Sequence, residues 1–230
     1  MTNTIEYCED LLDRARSAEK KADYDEAMKY CNELRLYLSK HKDTITQDTF
    51  YNYDILELLL TGVIQLKRGN HAKALKLLSD ALAKTDFIPQ SSLRSRVLRV
   101  MASCYIELGE TDKALDYALQ ALTLQDDEKK PDEQGSIYNL IGRLYYTRSE
   151  YALANEYALK ALALFEENGF KEQAARITGN IGSINYIHGN YSEALEKMFK
   201  ALAYFESENM PFDTTRLYDA IAGVYDAQGK

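Results

Sequence analysis

The chain has 230 residues, of which 46% are hydrophobic and 28% are charged, as is usual for a soluble chain that buries a core. This length excludes a large multidomain enzyme. With only three prolines and eleven glycines, the composition favours long helices over a sandwich or barrel of many short strands. The net charge of −8 and the pI of about 5.1 disfavour binding to nucleic acid or to an anionic membrane, because both are polyanions.

No targeting segment is evident in the sequence. The N-terminus lacks the basic and apolar regions of a secretory signal, and the most apolar stretch, residues 55–64, is too short to span a bilayer and contains Glu57. Cys8, Cys31 and Cys104 are odd in number and form no CxxC pair, so they are predicted to be buried thiols of a cytoplasmic protein.

Hydrophobic periodicity and turn residues predict helices along the whole chain. In chain order they lie near 3–21, 24–40, 50–68, 71–85, 91–108, 111–125, 132–148, 151–168, 171–188, 191–208 and 212–228. A polar joint is predicted at 41–49. A second joint is predicted at the acidic segment 126–135, where Lys130 and Pro131 take the places at which a calcium loop needs a ligand and a glycine.

A repeat of about 40 residues is the main signal in the sequence. One sequence motif recurs, and its alanines are spaced 47, 40, 40 and 40 residues apart, at Ala27, Ala74, Ala114, Ala154 and Ala194. Further small residues recur seven positions later, at Ala81, Ala121, Ala161 and Ala201, and twelve positions earlier, at Ala15, Gly62, Ala102, Gly142 and Gly182, with Ala222 continuing the series. Small residues seven apart share one helix face, so each helix pair is predicted to pack closely.

Turn residues separate the two helices of each repeat. Gly69, Gly109 and Gly189 are predicted to end the first helices in the left-handed conformation. The predicted N-caps of the second helices are Asn70 and Asn190, with Thr111 or Asp112 in the third repeat. In the fourth repeat Ser149 replaces glycine, which predicts a slightly different turn.

This pattern resembles that of tetratricopeptide repeats. Aromatic residues fall at three of the family's consensus positions: Tyr138 and Tyr218 at position 4, Tyr105, Tyr145 and Tyr225 at position 11, and Tyr24, Tyr151 and Tyr191 at position 17. The family's tryptophan and its proline at position 32 are missing, and the period is 40 rather than 34. The resemblance implies an all-α fold, a right-handed superhelical α-solenoid of helix–turn–helix hairpins.

We expect one array spanning residues 1–230. Its repeats lie near 3–40, 50–85, 91–125, 132–168 and 171–208, with a half repeat at 212–230. Gly229 stands where a turn begins, so we expect the chain to be the N-terminal fragment of a longer protein; the alternative is that the last helix is itself the cap. Arrays of this period are similar to the sensory arrays that precede diguanylate cyclase or histidine kinase domains in bacterial signalling proteins, and to Rap-type regulators.

No catalytic, cofactor or metal constellation is recognisable. His41, His71 and His188 are scattered over different repeats, and neither a Walker A sequence nor GxGxxG occurs. We therefore expect a non-enzymatic protein without a cofactor.

The resemblance implies that the first helix of each pair lines a concave binding groove. The predicted groove residues are Arg96, Arg99, Asn139, Arg143, Tyr146, Arg176, Asn180, Tyr186 and Arg216. Arginine binds carboxylates and asparagine can hold a peptide backbone, so the expected ligand is an acidic protein segment or extended peptide. The family's carboxylate clamp is incomplete because Ala220 occupies its last basic position. The alternative is that these arginines pair with neighbouring carboxylates on a solvated face.

The second repeat offers a second surface, since Leu56, Leu59, Leu60 and Val63 occupy the equivalent groove positions. We expect the first repeat or the joint at 41–49 to cover them. If they are exposed, they suit self-association. The predicted function is a peptide-binding regulatory module of a signalling protein. The alternative is a self-association scaffold, such as a homodimer. An RNA-binding repeat protein is a third hypothesis, which the net charge disfavours.

Overall fold

The computed structural model describes residues 2–88, 91–124 and 130–229. These residues form eleven α-helices, one short 3-10 turn at Thr85–Phe87 and no strand. The helices are α1 Thr2–Lys20, α2 Tyr24–His41, α3 Gln47–Lys67, α4 His71–Lys84, α5 Ser91–Glu107, α6 Thr111–Thr123, α7 Pro131–Thr147, α8 Tyr151–Glu167, α9 Lys171–Ile187, α10 Tyr191–Ser207 and α11 Pro211–Ala227. The all-α, helix–turn–helix fold predicted from the sequence is confirmed.

The joint between the first two hairpins is shorter than predicted. The Thr46 side chain accepts a hydrogen bond of 3.3 Å from the backbone N–H of Thr49 and caps α3, which therefore begins at Gln47 rather than near residue 50. Only residues 42–46 separate α2 from α3. In the acidic joint, residues 126–129 lie outside the described residues, and Pro131 is the first residue of α7, a position that suits its missing N–H.

The chain divides into two compact units, residues 1–128 and 129–230. The first unit contains the hairpins α1–α2, α3–α4 and α5–α6. Its core includes two apolar clusters, one centred on Cys8, Leu34 and Leu38 and the other on Ile55, Leu78 and Val97.

The second unit contains the hairpins α7–α8 and α9–α10, and α11 packs against α10. Phe165 and Phe205 each lie in an apolar cluster of this unit and are almost fully buried. Burial of each ring stabilises the fold by about 2–3 kcal/mol relative to leaving the ring in water. The two rings are therefore the main anchors of the unit.

The small residues of the repeat lie where two helices touch. A Cβ atom built on Gly142 would be 3.2 Å from the carbonyl oxygen of Ala154, and one on Gly182 would be 2.8 Å from Cγ of Met198. The close approach predicted from the sequence is therefore present in both complete hairpins of the second unit. In α11, by contrast, Ala222 is exposed and Gly223 has no atom within 4 Å of its Cβ position.

The turns within the hairpins are closed by the same main-chain hydrogen bonds. The N–H of Gly109 donates to the carbonyl of Ile106 at 2.9 Å, and that of Glu110 to the carbonyl of Tyr105 at 2.9 Å. Ser149 and Glu150 make the equivalent two bonds, with a φ of +61° at Ser149 against +75° at Gly109. The expectation of a different turn at Ser149 is thus wrong, because main-chain bonds hold serine in the left-handed region.

The predicted N-caps need correction for the same reason. Asn70 and Asn190 do occupy N-cap positions, but neither side chain makes a capping hydrogen bond. In the third repeat the N-cap is Glu110, not Thr111 or Asp112. Because the main chain of the turn already fixes the start of the second helix, the side chain at this position is under little constraint.

Candidate peptide-binding face

Two asparagines predicted to bind a peptide lie in contact. Asn139 on α7 and Asn180 on α9 belong to neighbouring hairpins, and Asn180 Nδ2 donates to Asn139 Oδ1 at 3.4 Å. Both side chains are partly exposed. We call the exposed side of α7, α9 and α11 that carries these asparagines, Arg143, Arg176 and Arg216 the first-helix face.

The contact leaves hydrogen-bonding groups on each asparagine. Within the described residues, the Asn139 NH2 group and the Asn180 carbonyl oxygen make no other hydrogen bond to the protein. Together they offer one donor group and one acceptor, which is the pattern that a peptide unit requires for its C=O and N–H. Ser183, one turn after Asn180, bonds its hydroxyl to the carbonyl of Gly179 at 3.3 Å.

Arg143 is the most available cation of the first-helix face. It lies one turn after Asn139 on α7 and is exposed. Within the part of the chain that the structure describes, its guanidinium forms no ion pair. An exposed guanidinium beside an amide pair can bind a ligand carboxylate with two parallel hydrogen bonds.

Arg176 and Arg216 share a carboxylate instead. Asp213 on α11 is buried, and its Oδ1 lies 2.5 Å from Arg176 Nη1 and 3.8 Å from Arg216 Nη2. Arg176 also pairs with Glu172 at 3.0 Å, within α9. Sequence analysis left open whether the groove arginines bind a ligand or pair with neighbouring carboxylates. For Arg176 and Arg216, pairing with neighbouring carboxylates describes the contacts.

The two predicted tyrosines pack at the hairpin ends. Tyr146 is edge-on to Tyr151 with 5.5 Å between ring centroids, and Tyr186 is tilted against Tyr191 at 6.0 Å. Burial, and secondarily Tyr151, raises the pKa of Tyr146. His188 continues this aromatic contact by lying edge-on to Tyr151 at 5.9 Å. Sequence analysis did not predict these aromatic contacts at the hairpin ends. The signal that could have revealed them is that Tyr151 and Tyr191 occupy the same position in successive repeats.

The other predicted arginines belong to the first unit. Arg96 and Arg99 lie on α5, are partly buried and interact with neighbouring groups. The structure therefore brings Asn139 and Asn180 into contact and joins Arg176 and Arg216 through Asp213.

The apolar residues of the second repeat are largely covered. Leu59 and Leu60 are buried, and Leu60 packs in the same cluster as Cys8 and Leu34 of the first hairpin. This agrees with the expectation that the first repeat covers them, and it removes the apolar patch as a free surface.

An ion pair between an exposed arginine and a buried glutamate lies beside that cluster and was missed in the sequence. Glu57 on α3 is fully buried and accepts hydrogen bonds from Arg35 Nη2 at 2.6 Å and from the Thr61 hydroxyl at 2.7 Å. Glu57 interrupts an apolar stretch, which is the signal that could have revealed it. Removing one partner of such a pair leaves a buried charge uncompensated, so the pair is structural.

The cysteines match their expected role as buried thiols. Cys8, Cys31 and Cys104 are free and buried, and burial raises the pKa of each to about 11. Among the described residues no group of three or more His, Cys, Asp or Glu could hold a metal ion. A search of the same residues finds no helix with the length and apolarity needed to cross a bilayer.

Family profiles and solved structures agree with this architecture. Two profiles described as tetratricopeptide repeat match residues 54–127 and 139–211. No curated protein sequence matches the chain significantly.

Several solved structures share the α-solenoid fold. The chain is 16% identical to a Rap protein complexed with Competence and Sporulation Factor, with a TM-score of 0.75, 93% of this chain covered and 61% of that one. It is 19% identical to a STAND protein with a tetratricopeptide repeat sensor from Pyrococcus horikoshii, with a TM-score of 0.70 and coverages of 99% and 34%. For BtubC from P. vanneervenii the identity is 19%, the TM-score 0.66 and the coverages 95% and 84%. The chain thus spans about a third to four fifths of these proteins.

Proposed function

We propose that this chain, which belongs to the tetratricopeptide repeat family, is a non-catalytic protein-interaction module that binds an extended peptide on its first-helix face. The repeats are stacked hairpins, so a surface of many similar helices is available to a long ligand. The single array from residue 1 to residue 230 remains a prediction.

The contact between Asn139 and Asn180 is the observation that carries the proposal. It joins two hairpins and presents a donor and an acceptor at neighbouring positions. In an extended peptide the N–H and the C=O of one residue point to the same side of the strand, so the main chain of one residue can bind both asparagines. Side-chain amides bind main chain without regard to ligand sequence, and additional contacts must supply selectivity.

Arg143 supplies that selectivity in our proposal. Its guanidinium is exposed one turn from Asn139, so it favours a ligand with a carboxylate next to the bound peptide unit. Arg176 and Arg216 add less, because Asp213 already neutralises them and a ligand carboxylate has to compete with it. The preferred ligand is therefore an extended peptide with an acidic residue beside the asparagine pair.

A regulatory role is the second part of the proposal. The similar Rap structure is a complex with Competence and Sporulation Factor, and the similar STAND protein carries its repeats as a sensor. By analogy, we place this chain as the ligand-sensing part of a signalling protein, such as one with a diguanylate cyclase or histidine kinase domain. Its separate reduced thiols suit the cytoplasm, and its net charge of −8 suits neither nucleic acid nor membrane as partner.

A peptide array tests the binding proposal. Extended peptides with one or two Asp or Glu residues are compared with the same peptides carrying Asn or Gln, and affinities for the best pair are then measured. Asn139→Ala and Asn180→Ala are each expected to weaken binding of both peptides roughly fivefold, since each removes about one kcal/mol of hydrogen bonding. Arg143→Ala is expected to weaken only the acidic peptide.

Matched controls lie on α8 of the same unit. Asn155→Ala removes a partly exposed asparagine away from the first-helix face, and Lys160→Ala removes an exposed cation. Both are expected to leave affinity unchanged. Equal affinities for the wild type and for both asparagine variants would overturn the peptide proposal.

Self-association is a second candidate, favoured by one observation on α11. Phe212 and Tyr218 are 80% and 51% exposed on this helix, and Ala222, one turn after Tyr218, is also exposed. Large exposed aromatic side chains on a helix suit packing between two copies. Light scattering at increasing concentration distinguishes the candidates: a dimer that Phe212→Ser with Tyr218→Ser dissociates supports self-association, and a constant monomer mass rejects it.

A further inference from the structure

An apolar cavity opens in the second unit, away from the asparagine pair. It has a volume of about 440 Å3 and lies between the end of α8, the first half of α9 and the second half of α10. Its apolar lining comes mainly from Phe165, Ala174, Ala175, Thr178, Ala201 and Tyr204. Cavities of this size and apolarity are typical of small-molecule sites.

One residue that lines the cavity is smaller than its counterparts in the other repeats. At the repeat position of Thr178, the other repeats of period 40 carry Leu58, Leu98, Tyr138 and Tyr218. In the preceding hairpin, Tyr138 packs against Tyr157 with 5.9 Å between ring centroids. The Thr178 hydroxyl bonds to the carbonyl of Ala174 at 2.8 Å, which satisfies its polar group within α9, so the side chain that Thr178 presents to the cavity is a methyl group instead of a ring.

The mouth of the cavity carries an excess of positive charge. Lys171, Lys200 and Glu166 all line it. Lys200 Nζ lies 3.5 Å from Glu166 Oε1, and both side chains are more than half exposed, so this ion pair is weak and can yield to a ligand. The N-terminus of α9 lies at the same place, and its partial positive charge adds to that of the lysines.

The buried part of the cavity lining consists of residues without a charge: Phe165, Ala174, Ala175, Thr178 and Ala201. A ligand with one anionic end is therefore oriented with its carboxylate at Lys171 and Lys200, at the exposed mouth.

We propose that this cavity binds a small aromatic carboxylate, with the ring in the space beside Thr178 and Phe165 and the carboxylate between Lys171 and Lys200. The ring replaces the aromatic side chain that the repeat carries at the position of Thr178. The site is separate from the first-helix face, and the proposal does not depend on peptide binding there.

Titration of the full chain with 3-phenylpropionate, followed by calorimetry or by amide chemical shifts, tests the site. 3-Phenylpropionamide and 3-phenylpropylamine are compared with it, since both keep the ring and lack the negative charge. The acid is expected to bind roughly fivefold more tightly than the amide, the difference that two exposed ion pairs supply. No binding of the acid, or equal binding of acid and amide, overturns the proposal.

Two kinds of variant place the ligand in the cavity. Thr178→Tyr restores the side chain found at Tyr138 and Tyr218 and is expected to abolish binding; a thermal melt establishes that this variant is folded. Lys171→Ala with Lys200→Ala changes only the exposed mouth and is expected to lower the affinity for the acid to that for the amide. Lys113→Ala, at an exposed lysine on α6 of the first unit, is the control and is expected to have no effect.

The remaining outcomes contradict the proposal. A folded Thr178→Tyr protein that binds the acid as the wild type does would show that the ligand lies elsewhere. A peptide with an internal Phe-Glu pair that binds as tightly as 3-phenylpropionate would show that the cavity accepts a partner's side chain instead of a free acid.

Discussion

Arg176 Nη1 lies 2.5 Å from Oδ1 of the buried Asp213, so a carboxylate of α11 holds a guanidinium that sequence analysis had predicted to bind a ligand. The contact joins α9 to α11, and it also reduces the binding free energy that Arg176 can contribute to an acidic ligand. That ligand has to displace a carboxylate that is already in place.

Replacing Asp213 is expected to change the stability of the protein and its affinity for an acidic peptide in opposite directions. Asp213→Asn removes the charge but keeps the shape, so we expect the free energy of unfolding to fall by about 1–2 kcal/mol, less than for a fully buried pair because Arg176 is partly exposed. The same change is expected to raise the affinity for an acidic peptide, since Arg216 loses its carboxylate partner and Arg176 keeps only Glu172. Urea unfolding and peptide titration measure the two effects. Glu193→Gln, at an exposed position on α10 away from the first-helix face, is the control.

Two glycines in equivalent helices are expected to respond oppositely to alanine. Gly182 faces Met198 Cγ at 2.8 Å and the Ala194 carbonyl oxygen at 3.1 Å, so Gly182→Ala is expected to lower the free energy of unfolding by about 1 kcal/mol or more. Gly223 has open space, so Gly223→Ala is expected to raise it by up to about 1 kcal/mol through helix propensity. Equal effects in thermal or urea unfolding would contradict the packing described for this hairpin.

The turn at Ser149 offers a test of left-handed strain. Serine at a φ of +61° is strained relative to glycine, so Ser149→Gly is expected to raise the free energy of unfolding by about 0.5–1 kcal/mol. The reverse change in the equivalent turn, Gly109→Ser, is expected to lower it by a similar amount. If both substitutions destabilise the protein, the side chain of Ser149 makes a stabilising interaction in addition to the main-chain hydrogen bonds of the turn.

The buried thiols predict a loss of stability at alkaline pH. The pKa of Cys8, Cys31 and Cys104 is raised to about 11 by burial, from an ordinary value of 9.0. Between these values the unfolded chain releases the thiol protons and the folded chain keeps them, so the free energy of unfolding falls as the pH rises from about 9 to about 11.

Urea unfolding at pH 8 and at pH 10 measures this loss. The variant with alanine at all three positions is expected to lose less stability over this interval than the wild type. Tyr53, whose burial raises its pKa to about 12, contributes equally in both proteins. The native thiols are also expected to resist Ellman's reagent at pH 8 and to react once the chain is unfolded. An identical pH dependence in both proteins would contradict the role assigned to the thiols.

The helices could be predicted from the sequence because their small residues recur at fixed intervals. Gly182 and Ala194 are 12 residues apart, and this spacing alone predicts the close contact that the structure contains. The start of α3 was placed three residues too late, because Thr46 is a capping residue within a run of other polar residues. Local patterns of this kind do not specify which of several polar side chains caps a helix.

The candidate site was harder to predict, since it depends on contacts between repeats. The sequence identified Asn139 and Asn180, but a separation of 41 residues does not indicate that their amides touch. Asp213 was not considered, because a single carboxylate near the start of a helix normally faces solvent. Thr178 was visible as an exception to the repeat, yet only the packing around Phe165 shows that the exception leaves a cavity.

The turns of this chain are secured by main-chain atoms, with glycine, serine, asparagine and alanine all adopting the same handedness at their ends. A turn of this type tolerates substitution of its side chains, so the outer positions of each hairpin can change in sequence without a change in the shape of the hairpin. This explains how an architecture can be shared with proteins at 16–19% identity. It also means that new specificities can be installed by altering a few residues on one hairpin while the others keep their form.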